Sequence, residues 1–253
     1  DRSVSRGLGD VYKRQIQGTK LPEHVDSIEA KGIQSVKVID SKPIGANVRS
    51  TVATYDGVFD DLRKLFARTA DAKAKGLTAG DFSYNTGKLR CPVCDGTGII
   101  TMDVQFLPDV DTICPSCGGS RYGKDAYDIL WKSKEKDSVS VSLPGLLKLT
   151  VEEAAGILHE ETKIAKQLKI LQDLGVCYLT LGEATPALSG GEAQRLKLAY
   201  EMETPQQGSV FVFDEPTIGL PPQDVKKLVL IFDHLIQLGA TVIVCLLYTS
   251  DAA

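Results

Sequence analysis

Apolar runs and turn residues alternate along the C-terminal part of the chain in a pattern that predicts a parallel sheet. Ser209–Phe213 and Thr241–Cys245 are short apolar runs rich in β-branched and aromatic residues, which is typical of buried strands. Gln223–Leu238, which lies between them, has the apolar spacing of a helix. A strand, a helix and a second strand in this order indicate an α/β fold whose strands run parallel.

The N-terminal part adds one strand and one amphipathic helix to this prediction. Ser35–Asp40 is another β-branched run, which we expect to be a buried strand. Gly57–Ala67 predicts a helix whose apolar side chains share one face, namely Phe59, Leu62, Leu65 and Phe66. Thr69–Gly80 is small and polar, and we expect it to be a connector.

Two capping boxes mark the starts of further helices. Thr150 is followed three residues later by Glu153, and Ser189 is followed by Glu192 at the same spacing. In such a box, the hydroxyl and the carboxylate each accept a hydrogen bond from a backbone N–H that the first turn would leave unpaired. A helix is therefore expected to begin after each hydroxyl residue.

Composition and charge narrow the class of protein. The chain has 253 residues, of which 43% are hydrophobic and 25% are charged, as in soluble globular proteins. The net charge of −4 argues against a protein that coats nucleic acid over its whole surface, so any DNA contact must use a local patch. No run reaches the roughly 18 consecutive apolar residues of a membrane span. Without a visible export signal, we expect a cytoplasmic protein.

The segment Leu188–Ala199, LSGGEAQRLKLA, is the strongest chemical signal. Two glycines directly after a capping serine leave several backbone N–H groups free at a helix start, and no side chain blocks a ligand from them. The helix dipole adds positive potential there, so the position suits a phosphate. The alternative, without a bound phosphate, is an ordinary capped helix. The residues L-S-G-G-E-A-Q-R resemble the signature motif of ABC ATPases.

Two consecutive carboxylates follow the apolar strand in VFVFDEPTIGL. Ligands of open α/β sheets bind beyond the carboxyl ends of the strands, which is where Asp214 and Glu215 are expected. Asp214 is suited to hold Mg²⁺, and Glu215 to act as a general base toward an attacking water. The alternative is a strand that ends in an acidic turn. The segment resembles the Walker B strand and catalytic glutamate of ABC proteins.

Four of the six cysteines form two C-x-x-C pairs with the spacing of a zinc site. Cys91 and Cys94 are separated by 19 residues from Cys114 and Cys117. Four thiolates close a tetrahedron around Zn²⁺ and leave no open position, so the predicted zinc is structural. Disulfides and free thiols are the alternatives.

Four basic residues flank the cysteine pairs, and they form a candidate DNA-contact rim: Lys88, Arg90, Arg121 and Lys124. Between the first and last of the four cysteines the chain carries acids but neither Lys nor Arg, so the metal module itself is not a basic clamp. A plain solvated surface is the equal alternative for the four flanking residues.

Taken together, these segments resemble the UvrA family, in its second nucleotide-binding half. The resemblance extends over residues 16–244 and is carried by residues 39–60, the cysteine module with 106–110, residues 185–199 and the strand that ends at Asp214. It implies an ABC-type, P-loop NTPase-like fold, ATP hydrolysis with Mg²⁺, and recognition of damaged DNA in nucleotide excision repair. It also implies a homodimer, as the full-length parent, that works with a UvrB-like excinuclease partner.

The resemblance assigns roles to residues at matching positions. Asp214 would serve Mg²⁺, and Glu215 would be the catalytic base. The signature residues would touch the γ-phosphate of an ATP held by the opposite half, and they are Ser189, Gly190 and Gly191, with Glu192 and Gln194 in the same motif.

The sequence departs from the family pattern at several points. It contains no G-x-x-x-x-G-K-[ST] phosphate loop, which the family places before residue 16, and no switch histidine after Val244. Ser41 stands at the position of the Q-loop glutamine, and residues 47–50 replace a more basic stretch. We therefore expect this chain alone to be an inactive fragment of an ATPase.

A domain division follows from these matches. Residues 1–15 and 246–253 resemble translated sequencing-adapter sequence and are expected to be non-native. The other expected divisions are the N-terminal part of an ATPase domain at 16–85, the zinc module at 86–125, and the signature and Walker B part at 126–245.

Two alternatives remain at this point. One is a UvrA-like paralogue that acts in drug resistance, which the change at Ser41 leaves open. The other is a zinc-binding chaperone module, because Cys91-x-x-Cys94-x-Gly96-x-Gly98 fits the repeat of DnaJ-type cysteine-rich domains. That class carries four such repeats, whereas this chain has one full and one degenerate copy.

Overall fold

The computed structural model describes residues 32–45, 47–102, 110–133, 139–202, 206–217, 220 and 222–246, with the backbone alone at 222–224. The strands are β1 (Ser35–Ile39), β2 (Ile99–Met102), β3 (Val110–Ile113), β4 (Leu130–Lys132), β5 (Ser140–Ser142), β6 (Ser209–Asp214) and β7 (Thr241–Cys245). The helices are α1 (Val52–Tyr55), α2 (Val58–Ala67), α3 (Ala70–Ala74), α4 (Leu143–Leu147), α5 (Val151–Ile157), α6 (Thr162–Asp173), α7 (Gly190–Met202) and α8 (Pro222–Gln237).

The described residues fall into two compact units. We call residues 32–44, 173–175 and 188–246 the sheet unit, and residues 45–172 and 176–187 the cysteine unit. The domain boundaries expected at residues 85 and 125 remain predictions. The expectation for residues 1–15 lies outside the described residues, as does that for 246–253 except at its first residue.

The sheet unit contains the parallel sheet that the alternating pattern predicted. Its strand order is β1-β6-β7, with Ser35 opposite Ser209 and Phe213 opposite Val244. The five residues Ser209–Phe213 of β6 are buried, whereas β1 and β7 are only partly buried, although both were expected to be buried strands. The difference arises because, in the described residues, β6 has a strand on each side while β1 and β7 are edges.

Aromatic and aliphatic side chains form the core of the sheet unit. The rings of Phe213 and Phe232 lie 4.6 Å apart between centroids, which packs α8 against the central strand. Leu196 of α7 and Leu235 of α8 have no exposed surface. Burying an apolar side chain of this size stabilises the fold by about 1.5–3 kcal/mol. The central strand β6, which is buried from Ser209 to Phe213, therefore contributes more to stability than the two edge strands.

The cysteine unit is built around the apolar face of α2. Phe59, Leu62 and Phe66 are buried, which confirms the helical face predicted from their spacing. The segment after α2 was expected to be a connector but begins with the short helix α3. The reason is local, since the Thr69 hydroxyl accepts a hydrogen bond from the N–H of Ala72 and caps that helix.

Tyrosines join α2 to the segment that precedes the first cysteine pair. The ring of Tyr84 lies 4.8 Å from Phe59 and 6.0 Å, edge-on, from Tyr122. The Tyr122 hydroxyl donates to the carbonyl of Phe82 at 2.6 Å, so this buried polar group is satisfied. Burial raises the pKa of Tyr122 well above its ordinary value, which keeps the hydroxyl protonated as a donor.

The glycine at position 96 permits a close backbone approach beside these tyrosines. Gly96 has a φ of 79°, and a Cβ built there would lie 1.7 Å from the carbonyl oxygen of Tyr84. Gly118 also has a positive φ, 56°, but a Cβ there would meet nothing within 4 Å. The two positions therefore share backbone strain and differ in crowding.

We expect Gly96→Ala to destabilise the chain more than Gly118→Ala. The left-handed backbone costs about 1–2 kcal/mol in each variant, and displacing the Tyr84 carbonyl adds about 1–3 kcal/mol in Gly96→Ala alone. Denaturant unfolding of both variants measures the difference. Equal losses in the two variants would contradict the close approach.

Candidate functional site

Two consecutive carboxylates lie at the carboxyl edge of the parallel sheet. Because β1, β6 and β7 run in the same direction, their carboxyl ends share one edge, and Asp214 is the last residue of β6. Glu215 follows with a φ of 50°, and its N–H donates to the carbonyl of Cys245 at 2.9 Å. Non-glycine residues are uncommon in the left-handed backbone region, and those that occur there cluster at functional sites.

The start of α7 is open to solvent. The N–H of Ser189 donates to the Glu192 carboxylate at 2.7 Å, and the N–H of Glu192 donates to the Ser189 hydroxyl at 3.4 Å, which confirms the predicted capping box. Ser189 and Gly190 are exposed. The exposed helix start therefore offers backbone donors and positive potential to an anion.

The turn after β1 packs against that same helix start. Ser41, at the position where the family has its Q-loop glutamine, is exposed. A Cβ added to Gly190 would lie 3.0 Å from the carbonyl oxygen of Ser41 and 3.2 Å from its Cβ. A side chain at position 190 would thus push the turn away. The close contact within the sheet unit therefore explains why this position is occupied by glycine.

Lys197 and Asp40 lie at this edge, although neither was predicted as a site residue. The Lys197 ammonium donates to the Asp40 carboxylate and to the carbonyl of Lys42, at 2.8 Å. Burial opposes ionisation of Asp40, but the hydrogen bond and charge of Lys197 hold the pKa of Asp40 below its ordinary value. Two features of the sequence could have indicated this pair. Asp40 is an acid directly after a strand, and Lys197 follows Gln194 by three residues on the same helix.

The four cysteines of the two pairs converge on one point in the cysteine unit. All four sulfurs lie within 4.8 Å of one another, with 4.0 Å between Cys91 and Cys114 and 3.7 Å between Cys94 and Cys117. A tetrahedron of sulfurs around zinc, with bonds of about 2.3 Å, has edges of about 3.8 Å. The donor set and its size therefore fit Zn²⁺, and the cysteines are free rather than joined as disulfides.

Backbone donors and burial shift the pKa values of these thiols in opposite directions. The N–H of Gly98 donates to the sulfur of Cys94 at 3.3 Å. Burial opposes ionisation at Cys91, but backbone donors at Cys94 and Val93 lower its pKa to about 7. Burial and the neighbouring sulfurs raise the pKa of Cys117 to about 12. One thiol thus ionises first and the cluster resists a full set of negative charges until a cation balances them.

The candidate rim residues occupy different environments. Lys88 and Lys124 are exposed, although Lys88 lies 3.5 Å from Asp81, and Arg90 pairs with Asp95 at 3.0 Å. Arg121 is only 7% exposed. Its guanidinium donates to the carbonyl of Val48 and lies 5.2 Å from the centre of the Tyr84 ring, so it lies inside the unit rather than on a rim.

Arg49, which was not among the predicted rim residues, also pairs with Asp95, at 3.4 Å.

The predicted site residues therefore divide between the two units. Ser41, the signature residues 189–194 and the pair Asp214–Glu215 lie in the sheet unit. The four cysteines and the basic residues around them lie in the cysteine unit. In the parts of the chain that the structure describes, no helix is both long and apolar enough to cross a membrane.

Known proteins resemble this chain in both sequence and fold. The UvrABC system protein A of Aquifex aeolicus is 42% identical over 87% of this chain and 23% of its own length. That of Clostridium acetobutylicum is 43% identical over 95% of this chain and 25% of its own. The crystal structure of UvrA2 from Deinococcus radiodurans superposes with a TM-score of 0.76 at 40% identity, over 85% of this chain and 26% of that one.

The chain belongs to the UvrA family. Its mixed α/β fold matches that of UvrA2 over 85% of the chain, and its four clustered cysteines lie within metal-binding distance of one another. The chain spans about a quarter of the length of the UvrA relatives it matches. No family model matches it.

We expect the purified chain to contain about one Zn²⁺. Cys94→Ser removes one of the four donors and should abolish zinc binding and lower the melting temperature, because structural zinc contributes directly to folding. Cys177→Ser, outside the cluster, is the matched control and should keep the metal. Elemental analysis gives the zinc content of the two variants, thermal unfolding gives their melting temperatures, and a thiol assay gives the state of the cysteines. A zinc content near zero in the unaltered chain, with the cysteines paired as disulfides, would contradict the assignment.

Proposed function

We propose that this chain is a segment of a UvrA-type ABC ATPase that binds DNA and recognises damage in nucleotide excision repair, with ATP binding and hydrolysis. The carboxyl edge of the sheet unit carries the proposal. There Asp214 and Glu215 follow a buried parallel strand, and the turn at residues 40–42 ends the neighbouring one. Ligands of open α/β sheets bind at that edge. The name shared by the relatives, UvrABC system protein A, supports it.

The donors at this edge fit Mg²⁺ and ATP. Mg²⁺ prefers oxygen ligands and keeps several waters, and the Asp214 carboxylate supplies an oxygen of this kind. When bound, the ion neutralises charge on the phosphates. Glu215, the next residue, is placed to accept the proton of an attacking water as a general base. The N–H of Glu215 donates to the carbonyl of Cys245, which fixes the backbone that carries the second carboxylate.

The start of α7 would serve a different nucleotide. In the ABC arrangement, Ser189, Gly190 and Gly191 face the γ-phosphate of an ATP held by the opposite half, while Asp214 and Glu215 serve the ATP of their own half. The exposed capped helix start suits this role. The sequence has no phosphate loop, so the chain supplies only part of either site, and we expect it to be inactive alone.

The cysteine unit would contribute the contact with DNA. A structural zinc held by the four cysteines would stiffen a loop-rich segment, and Lys88, Arg90 and Lys124 lie on its surface. Two arginines share one acid there, since Arg49 and Arg90 both contact Asp95. A phosphate could bind to this surplus of positive charge.

The partners follow from the family. We propose a homodimer of the full-length protein that acts in the cytoplasm with a UvrB-like excinuclease partner. The name of the relatives, which refers to a UvrABC system, supports this assignment. A paralogue that acts in drug resistance and a DnaJ-type zinc chaperone are not favoured, because the identity of 42–43% to UvrABC system proteins extends over 87–95% of the chain.

In the full-length protein, Glu215→Gln should leave ATP binding intact and lower the turnover of the ATP held by its own half about 10²-fold or more, because it removes a base and not a phosphate contact. Glu152→Gln, an exposed position on α5, is the matched control and should have no effect. Nucleotide titration and steady-state hydrolysis separate the two quantities. Wild-type turnover in Glu215→Gln would overturn the assigned role.

For DNA binding, Lys88→Gln combined with Lys124→Gln should weaken affinity and lower the salt slope by about one for each lost phosphate contact. Lys73→Gln combined with Lys166→Gln, both exposed in the same unit, controls for the loss of two charges. Binding of full-length protein to duplex DNA across a range of salt concentrations gives both numbers. If both pairs behave alike, the rim makes no specific DNA contact.

A further inference from the structure

A buried amide ties together the ends of two strands at the carboxyl edge. The side-chain nitrogen of Gln194 donates to the carbonyl of Ile39 at 3.0 Å and to the carbonyl of Asp214 at 2.9 Å. An amide NH₂ has two hydrogens, so both are used. Gln194 is 5% exposed, and losing its donors would leave two strand-end carbonyls without these partners.

One turn further along α7, an ammonium holds the turn after β1. Lys197 donates to the carbonyl of Asp40 at 3.0 Å, to that of Lys42 at 2.8 Å, and to the Asp40 carboxylate. Its side chain is 16% exposed. Hydrogen bonds from a charged donor are roughly twice as strong as neutral ones, so the turn is firmly attached to the helix.

The same turn also touches the first residue of α7. The carbonyl of Ser41 and the α-carbon of Gly190 approach so closely that a Cβ at position 190 would come within 3.0 Å of that oxygen. Positions 190 and 197 lie about 10.5 Å apart along the helix axis. The turn at residues 40–42 is therefore held at two separated points of one rigid helix.

We propose that Gln194 and Lys197 are positioning residues that couple the start of α7 to the backbone of Asp214 at the end of β6 and to the turn at residues 40–42. This inference rests on the proposed function, in which those two places serve different ATP molecules. A shift of α7 as a phosphate binds at Ser189–Gly191 must carry the turn and the ends of β1 and β6 with it. The two nucleotide sites then sense each other through this helix.

The test measures the coupling between the two nucleotide sites directly. The full-length protein is titrated with Mg²⁺ and a non-hydrolysable ATP analogue by calorimetry, so the readout is binding and not activity. We expect the two stepwise affinities to be coupled by about tenfold or more. Lys197→Met should bring the coupling close to onefold and leave the first affinity within about twofold, and Gln194→Met should also lower the coupling.

Matched variants separate coupling from a loss of structure. Lys197→Arg keeps the charge and should restore much of the coupling, and Lys166→Met, at an exposed lysine of α6, should leave it intact. Asp40→Asn removes the same ion pair from its other side and nearly keeps the side-chain shape. It keeps the bonds of Lys197 to the carbonyls of Asp40 and Lys42, so it should reduce the coupling by less than Lys197→Met does. The double variant should lose no more than Lys197→Met alone, because that variant already removes all of these bonds. Thermal unfolding of the 253-residue chain checks that each variant folds.

The outcomes are distinct. If Lys197→Met and Asp40→Asn retain the coupling, or if the parental protein shows two independent sites, the inference is wrong while the proposed ATPase stands. If the parental protein does not bind ATP, the proposed function fails and the inference fails with it.

Discussion

The hydrogen bonds of one buried glutamine organise the carboxyl edge of the sheet unit, where the proposed nucleotide site lies. Gln194 reaches the last carbonyls of two neighbouring parallel strands, β1 and β6. Leaving a buried carbonyl without a partner costs about 1–3 kcal/mol, so the pairing fixes α7 against the sheet in one register. The ends of β1 and β6 keep their positions relative to α7 because the helix cannot slide without breaking those bonds, and Lys197 attaches the turn at 40–42 to the same helix.

The cysteine unit solves a different problem, that of ordering a segment that buries few of its apolar residues. In the described part of this segment Val93, Met102, Val110 and Ile113 are exposed, and the cysteines form the buried cluster. A metal bound at that point would replace the hydrophobic burial that the segment does not supply. Arg121 joins this region to the rest of its unit, because its guanidinium binds the Val48 carbonyl and lies over Tyr84.

Much of the local structure could be predicted from the sequence. The capping boxes at Thr150 and Ser189 both form, and α7 begins at Gly190, directly after the predicted cap. The paired cysteines were predicted as a metal site, and their sulfurs converge. The extent of burial was predicted less well, since β1 and β7 are edges in the described residues. An apolar run indicates a strand but does not state how many neighbours the strand has.

The sequence by itself determined the elements and motifs whose partners lie a few residues away, such as the caps, the strand that ends at Asp214 and the C-x-x-C turns. Only the tertiary structure decided which distant groups meet. Lys197 and Asp40 are 157 positions apart, and Arg121 binds a carbonyl 73 positions away. The physical reason is that a polar side chain inside a fold takes whatever donor or acceptor the packing brings near it. That choice depends on the folded arrangement of strands and helices, which short-range periodicity does not contain.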